Sequence, residues 1–195
     1  MTDRRARRHE ETRQEILAAA WTLAREQGLT GWSLREVAAA VDMRAPSLYG
    51  YFDSKDAIYD AMFTAGYREL LATIDATERG GDNVTTLTRT ARAFIGFCVA
   101  DAARFQLLFL RVIPGFTPSP AAYGLAEEVM DRLRDELATA GITDARTIDL
   151  CTALTTGLAS QQLSNEPGGQ RWTRLVDDAV ALLLSRSSTA TAPAG

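Results

Sequence analysis

Histidine and cysteine are scarce in this sequence, and their scarcity excludes several classes of site. The 195 residues include one histidine, His9, and two cysteines, Cys98 and Cys151. One imidazole cannot build the histidine clusters of zinc sites or of most acid–base catalysts, and neither thiol has a histidine at plausible range to activate it. The neighbouring acidic pairs at 127–128 and 177–178 point apart on a helix. We therefore expect no enzyme activity, no bound metal and no cofactor.

The sequence also lacks a long apolar run. No uncharged stretch approaches the roughly 20 residues that a membrane-spanning helix needs. An arginine-rich start precedes the apolar stretch 16–24, but Arg25 and Glu26 stand where a signal peptide would need small residues for cleavage. Both cysteines lie in apolar helical patterns, which is typical of reduced, buried thiols. We expect a cytoplasmic protein that does not cross a membrane.

Charge is divided unevenly along the chain, whose net charge is −4. Residues 1–55 carry nine lysines and arginines against eight aspartates and glutamates, whereas residues 56–195 carry twelve against seventeen. The acidity therefore lies in the second part, and the first part can still approach a polyanion. Hydrophobic residues make up 46% of the chain and charged residues 24%, which predicts a globular protein rather than a disordered one.

Hydrophobic periodicity is helical almost throughout, and no segment alternates as a strand would, so we predict an all-α fold of nine helices. The first helix carries Ile16, Ala20 and Ala24 on one face and ends at Gly28. The second begins at Ser33, which forms a capping box with Glu36. Residues 187–195 are predicted to be disordered. The remaining predicted helices are 44–52, 53–79, 83–99, 101–113, 119–140, 143–165 and 170–186.

Residues 34–52 have room for two short helices joined by a tight turn, which is the spacing of a helix-turn-helix. A recognition helix that enters the major groove of DNA, about 12 Å wide, keeps an apolar inner face and a small, polar outer face. Leu48 and Phe52 supply the inner face, and Arg44, Ser47 and Tyr49 lie on the outer one. An ordinary small helical bundle would have the same spacing, so both interpretations stay open here.

Lys55, the only lysine in the chain, favours DNA binding. It lies in the first turn of a predicted helix, where the helix dipole disfavours a cation by about 0.3 kcal/mol or more. A phosphate at that helix end would reverse the sign of this effect and would also accept backbone N–H groups. The alternative is a solvent-exposed lysine, for which the cost is small.

Three stretches together resemble the TetR/AcrR family of transcription regulators. They are 16–20 (ILAAA) followed by Gly28, 33–38 (SLREVA), and 46–58 (PSLYGYFDSKDAI). The match covers residues 9–65. More loosely, 104–109 (RFQLLF) and 113–120 (IPGFTPSP) are similar to the WHG-type ligand-binding domain of some members of that family.

The resemblance implies an N-terminal arm and a three-helix helix-turn-helix head over residues 1–55. It implies a helical effector-binding and dimerisation domain over residues 56–186. In the family, the residues that correspond to Ser47, Tyr49 and Lys55 contact DNA. The full set of DNA-contacting residues that we predict is Ser33, Arg44, Ala45, Pro46, Ser47, Tyr49, Tyr51 and Lys55.

The sequence departs from the family pattern in the turn and after the recognition helix. Asp42 stands where a glycine is common, and Gly50 follows Tyr49 where a histidine or similar residue is usual. The first departure bears on the backbone geometry of the turn, and the second removes one phosphate contact. Arg44 stands at a position that usually holds a small capping residue, and it is placed to read a guanine edge or to pair with phosphate.

Four arginines, at positions 4, 5, 7 and 8, precede the apolar face of the first helix. They predict an arm that contacts the minor groove or adjacent phosphates. A solvated, frayed terminus is the alternative, and the sequence leaves both open.

The resemblance also implies a homodimer, because two heads are needed to read half-sites about 34–36 Å apart or more. The alternative for the apolar faces of the last two helices is that they close the core of one chain. The interface residues that we predict are Leu150, Leu154, Gly157, Leu158, Gln161, Val176, Ala179, Val180 and Leu183.

Finally, the resemblance implies an apolar pocket for a small-molecule effector. The effector would favour a position of the fourth helix that moves the two heads out of groove spacing. The expected function is a sequence-specific repressor that an apolar small molecule releases from operator DNA. A helical adaptor that binds protein and has lost DNA binding is the alternative. The pocket residues that we predict are Phe94, Phe97, Cys98, Phe105, Leu108, Phe109, Phe116 and Met130.

Overall fold

The computed structural model of the chain describes the backbone of residues 2–190 and the side chains of residues 4–185. Over this range the chain forms nine α-helices and one short 3-10 helix, Thr173–Leu175, and no strand. The predicted all-α fold is confirmed. The α-helices are α1 (Thr2–Gln27), α2 (Leu34–Ala40), α3 (Ala45–Leu48), α4 (Lys55–Asp75), α5 (Asn83–Ala100), α6 (Ala102–Phe109), α7 (Pro120–Thr139), α8 (Ala145–Asn165) and α9 (Val176–Ala190).

Three helix ends differ from those predicted. α1 begins at Thr2, so the four N-terminal arginines are helical and do not form an extended arm. α6 ends at Phe109 rather than near residue 113, which leaves residues 110–113 non-helical before Pro114. Pro114 itself disfavours helical backbone at Ile113. α9 continues to Ala190, so the predicted tail 187–195 begins inside a helix, and residues 191–195 lie outside the described residues.

The chain divides into two compact units. The head unit comprises the residues up to Gly66 together with Ala103–Gly124, and the body unit comprises Tyr67–Ala102 together with the residues from Leu125 onward. α4 contributes residues to both units. The boundary predicted from the sequence, between residues 55 and 56, stays a prediction.

The core of the head unit is built from the predicted apolar faces of the first four helices. Ile16 and Ala20 of α1, Val37 of α2, Leu48 of α3 and Ile58 of α4 have no exposed area. Burying each of the larger side chains contributes about 1.5–3 kcal/mol. This packing holds the short helices α2 and α3, which are too short to be stable alone.

The body unit has its own apolar core, which joins α5, α7, α8 and α9. A bidentate ion pair at the edge of this core joins Arg92 of α5 to Asp177 of α9, with N–O distances of 3.0 and 2.5 Å. The buried members of the core are Leu87, Leu137, Ile142, Ile148, Cys151, Val180 and Leu183.

A membrane-spanning helix must be both long and apolar, and none of the helices among the described residues meets these two conditions.

Candidate nucleic-acid interface

The helix-turn-helix begins with the predicted capping box. The Ser33 hydroxyl accepts a hydrogen bond from the Glu36 N–H at 3.3 Å, and the Glu36 carboxylate accepts from the Ser33 N–H at 2.8 Å. The Ser33 hydroxyl also donates to that carboxylate at 2.6 Å. These bonds from Ser33 hold the pKa of Glu36 below its ordinary value. The Ser33 hydroxyl is thus already engaged in starting α2, and its predicted contact with DNA stays a prediction.

The turn between α2 and α3 is a Schellman motif with an aspartate in the position that glycine usually occupies. Met43 donates to the Ala38 carbonyl at 2.8 Å, and Asp42 donates to the Ala39 carbonyl at 3.2 Å. Asp42 adopts a φ of +55°, which is left-handed backbone. The turn therefore keeps the conformation that a glycine would favour, although the residue differs.

α3 presents the predicted outer face to solvent. Its N-cap is Arg44, whose side chain makes no capping hydrogen bond, and Pro46 lies in its first turn. Leu48 is fully buried, whereas Arg44, Pro46, Ser47 and Tyr49 are exposed, and Ala45 is half-buried. Because the Arg44 side chain is exposed and makes no capping hydrogen bond, it is available to a ligand. Tyr49 is 54% exposed. That these residues contact DNA stays a prediction.

Two residues of α1 support the segment that follows α3. The Arg13 guanidinium donates to the Tyr51 carbonyl at 2.6 Å and lies 4.2 Å from the centroid of the Phe52 ring. The His9 ring stacks on the Tyr51 ring at 4.6 Å with an interplanar angle of 16°. Sequence reasoning missed both contacts. The available signal was the spacing of His9, Arg13 and Ile16, which share one helical face.

Lys55 links the start of α4 to the loop between α1 and α2. Its ammonium donates to the Trp32 carbonyl at 2.6 Å and to the Thr30 carbonyl at 3.3 Å. It also lies 4.2 Å from the centroid of the Trp32 ring, in cation–π geometry. Partial burial lowers the pKa of Lys55 from its ordinary value. In this conformation Lys55 therefore holds the start of α4 against the loop between α1 and α2. Its predicted phosphate contact stays a prediction.

Tyr59 fastens the next turn of α4 to the same loop. Its hydroxyl donates to the Leu29 carbonyl at 2.5 Å, and its ring meets Trp32 edge-on at 5.2 Å. Burial raises the pKa of Tyr59 to about 12, so the hydroxyl keeps its proton and remains a donor. Two successive turns of α4 thus hold the loop that leads into α2.

The predicted effector-pocket residues are divided between the two units. In the head unit, Phe105 and Leu108 are buried, the Phe109 ring tilts against Phe105 at 5.6 Å, and the Phe116 ring tilts against Tyr59 at 5.5 Å. In the body unit, Phe97 and Cys98 are buried, and Phe94 and Met130 are half-buried. All eight contribute to apolar packing, and their role as a pocket stays a prediction.

The predicted interface residues fall into two groups. Val176, Val180 and Leu183 of α9 are only 3–6% exposed in the single chain. These three side chains belong to the core of the single chain, and their place in the interface stays a prediction. Gln161 is exposed and stays in the predicted interface. The half-buried members that also stay in it are Leu150, Leu154, Gly157, Leu158 and Ala179.

Known proteins match both the sequence and the fold of this chain. Residues 16–62 match the family model described as bacterial regulatory proteins, tetR family, and this stretch contains the whole helix-turn-helix. An HTH-type transcriptional regulator of Mycobacterium bovis is 29% identical over 173 residues, which are 83% of this chain and 70% of that protein.

Solved structures extend the likeness to the body unit. A TetR-family transcriptional regulator of Streptomyces coelicolor has a TM-score of 0.72 and 21% identity, covering 93% of this chain and 83% of that one. The TetR-family regulator PfmR of Thermus thermophilus has a TM-score of 0.67 and 20% identity, covering 87% of this chain and 97% of that one. The fold is therefore shared along nearly the whole described chain.

Proposed function

Because the chain belongs to the TetR family of bacterial regulatory proteins, and is thus a DNA-binding transcription regulator, we propose that it is a repressor. In this proposal it binds operator DNA as a homodimer in the cytoplasm, and an apolar small molecule releases it. The observation that carries the proposal is the exposed outer face of α3, presented by a turn and a capping box that are both intact. Arg44 and Tyr49 on this face would read or grip the duplex.

Exposed apolar surface on α9 supports the homodimer. Val176, Val180 and Leu183 are buried in the single chain, whereas Ala179 is half-buried and Leu182 is 53% exposed. On α8, Gly157 has open space where a Cβ would lie. Two copies can therefore bring these helices close together, as in a four-helix interface.

The attachments of α4 support release by an effector. In the head unit its first turns are held by Lys55 and Tyr59, as described above. In the body unit its last residue, Asp75, makes a bidentate ion pair with Arg132 of α7 at 2.9 and 3.1 Å. A ligand that prefers one position of this helix would change the spacing of two heads by population shift, because the helix is fixed at both ends.

Selection of random duplexes on the purified chain, followed by titration of the selected duplex, tests the DNA contacts. Arg44→Ala should weaken binding of that duplex about tenfold or more, which is what one good base contact contributes. Arg134→Ala, which removes an equal charge from α7 in the body unit, should change affinity less than twofold. Equal affinities for the wild type and Arg44→Ala would contradict the assignment of α3 as the recognition helix.

A further inference from the structure

The N-terminal turns of α1 are an ordered part of the head. Because α1 begins at Thr2, the arginines at positions 4, 5, 7 and 8 occupy set places on a helix surface, and all four are exposed. One of them is neutralised, since Arg7 pairs with Glu11 one turn later at 3.5 Å. The others leave a concentration of positive charge at this end of the head.

This end of α1 is docked beside the recognition helix. The His9 ring stacks on Tyr51, and the Arg13 guanidinium bonds to the carbonyl of the same residue. Tyr51 follows the exposed Tyr49 by two residues and donates its N–H to the Leu48 carbonyl at 2.9 Å. The two contacts therefore tie α1 to the C-terminal end of the helix that would enter the groove.

Helical geometry separates the arginines by face. At about 100° per residue, Arg5 lies on the face that carries His9 and Arg13, about 6 Å along the axis before His9. Arg7 lies nearly opposite, where Glu11 neutralises it. Arg5 thus extends the docked face outward from the recognition helix.

We propose that Arg5 binds the sugar–phosphate backbone of DNA just outside the half-site that α3 contacts, and that His9 and Arg13 are positioning residues for this contact. The inference rests on the proposed function, and it adds a second DNA-binding element to the head. The ligand is a phosphodiester group, for which a guanidinium is the best-suited side chain.

The same geometry argues against contact with the minor groove. That groove is about 6 Å wide, whereas a helix with its side chains is about 10–12 Å across. A docked helix therefore reaches the phosphates at the rim, and an extended arm would be needed to read the bases. The contact should carry no base preference in the flanking sequence.

Two duplexes and two matched variants test the Arg5 contact. The probe is the duplex selected as above, made once with ten flanking base pairs on each side and once trimmed to the half-sites. On the long duplex, Arg5→Gln should weaken binding about three- to fivefold, which is the contribution of a solvent-exposed ion pair. It should also lower the slope of log affinity against log salt by about one. Arg7→Gln, which removes the same charge from the opposite face, should stay within twofold.

The trimmed duplex separates a flanking contact from a general effect of charge. On it, Arg5→Gln should match the wild type, because the phosphates that it contacts are missing. Equal losses for Arg5→Gln and Arg7→Gln, or a loss that persists on the trimmed duplex, would overturn the inference while the regulator function stands. Failure of the wild-type chain to select any duplex would overturn the proposed function, and the inference with it.

The positioning role of Arg13 is tested by coupling. Arg13→Gln should weaken binding of both duplexes, and in the double variant Arg5→Gln should cost nothing further on the long one. The salt slope on the trimmed duplex should not change, because the Arg13 guanidinium bonds to protein and not to phosphate. Additive losses in the double variant would show that Arg13 does not position Arg5. Far-UV circular dichroism and the melting temperature establish that each variant is folded.

Discussion

Asp42 and Gly141 occupy equivalent positions in two copies of the same helix-ending motif. After α7, Ile142 donates to the Leu137 carbonyl at 3.0 Å, which repeats the bond that ends α2. Gly141 has a φ of +79° and Asp42 a φ of +55°. Glycine adopts this conformation without a steric penalty, whereas aspartate adopts it at some cost, although more readily than most residues. Asp42 therefore adopts its backbone conformation at a cost that Gly141 does not have.

Replacing the aspartate by glycine should recover this difference. We expect Asp42→Gly to raise the free energy of unfolding by about 0.5 kcal/mol, the relief of strain less the extra freedom of glycine in the unfolded chain. Asp42→Ala, which removes the carboxylate but keeps a Cβ, should give no gain. Urea denaturation followed by circular dichroism measures both, and equal stabilities for the two variants would contradict the explanation.

At the scale of single residues, the sequence predicts contacts between chain neighbours but not contacts between distant residues. The capping box at Ser33 and the glycine that ends α1, Gly28, could be predicted because each involves neighbours along the chain. The stacking of His9 on Tyr51 joins residues 42 positions apart. The helical face that His9 shares with Arg13 and Ile16 is a signal of packing, but no local pattern identifies the partner of that face over such a distance. The outer face of α3 was predicted from periodicity, and the exposure of Arg44 and Tyr49 agrees with it. The ligand of that face is beyond what periodicity can predict.

At the scale of the helices, acidic N-caps begin two helices of the body unit. Asp82 caps α5 by accepting from the Thr85 N–H at 2.8 Å, and Asp144 caps α8 by accepting from the Thr147 N–H at 2.9 Å. The bond from Thr147 lowers the pKa of Asp144 from its ordinary value of 3.8. A lowered pKa means that the cap stabilises the folded chain above that ordinary value and loses this effect as the pH falls below it.

Removing the α8 cap tests this account. Asp144→Ala should lower the melting temperature by about 2–4 °C at neutral pH, because one amide at the start of α8 loses its partner. Asp144→Asn keeps an acceptor and should lie close to the wild type. The difference between wild type and Asp144→Ala should shrink as the pH falls from 5 to 3, and differential scanning calorimetry across that range would show whether it does.

The distribution of apolar surface on α9 shows why the buried side of a helix could not be predicted from its sequence alone. Periodicity identified the apolar residues correctly, but a helix that is apolar on two sides does not say which side faces its own core. The structure turns Val180 and Leu183 inward and leaves Leu182 outward. Only the packing of α5 and α8 against α9 decides this, and that packing joins segments far apart in the sequence.

At the scale of the whole molecule, the outward side of α9 should govern assembly. We expect Leu182→Arg to convert the proposed homodimer to folded monomers, since a charge in an apolar interface is strongly disfavoured. Leu110→Arg changes another exposed leucine, 38% accessible and in the head unit, and should leave the dimer intact. Sedimentation velocity measures both, and a dimer that survives Leu182→Arg would move the interface to another surface.

The contact between Lys55 and Trp32 has a practical consequence. Because the chain has one lysine, reductive methylation with isotopically labelled formaldehyde would place a label on a single side chain, apart from the terminal amine. Dimethyl-lysine keeps its charge and one N–H, which is enough for the 2.6 Å bond to the Trp32 carbonyl. The labelled methyl groups would then lie near the indole of Trp32, whose ring current shifts their resonance. Titration with duplex would then report directly whether the ammonium leaves the indole for a phosphate or stays where the free protein holds it.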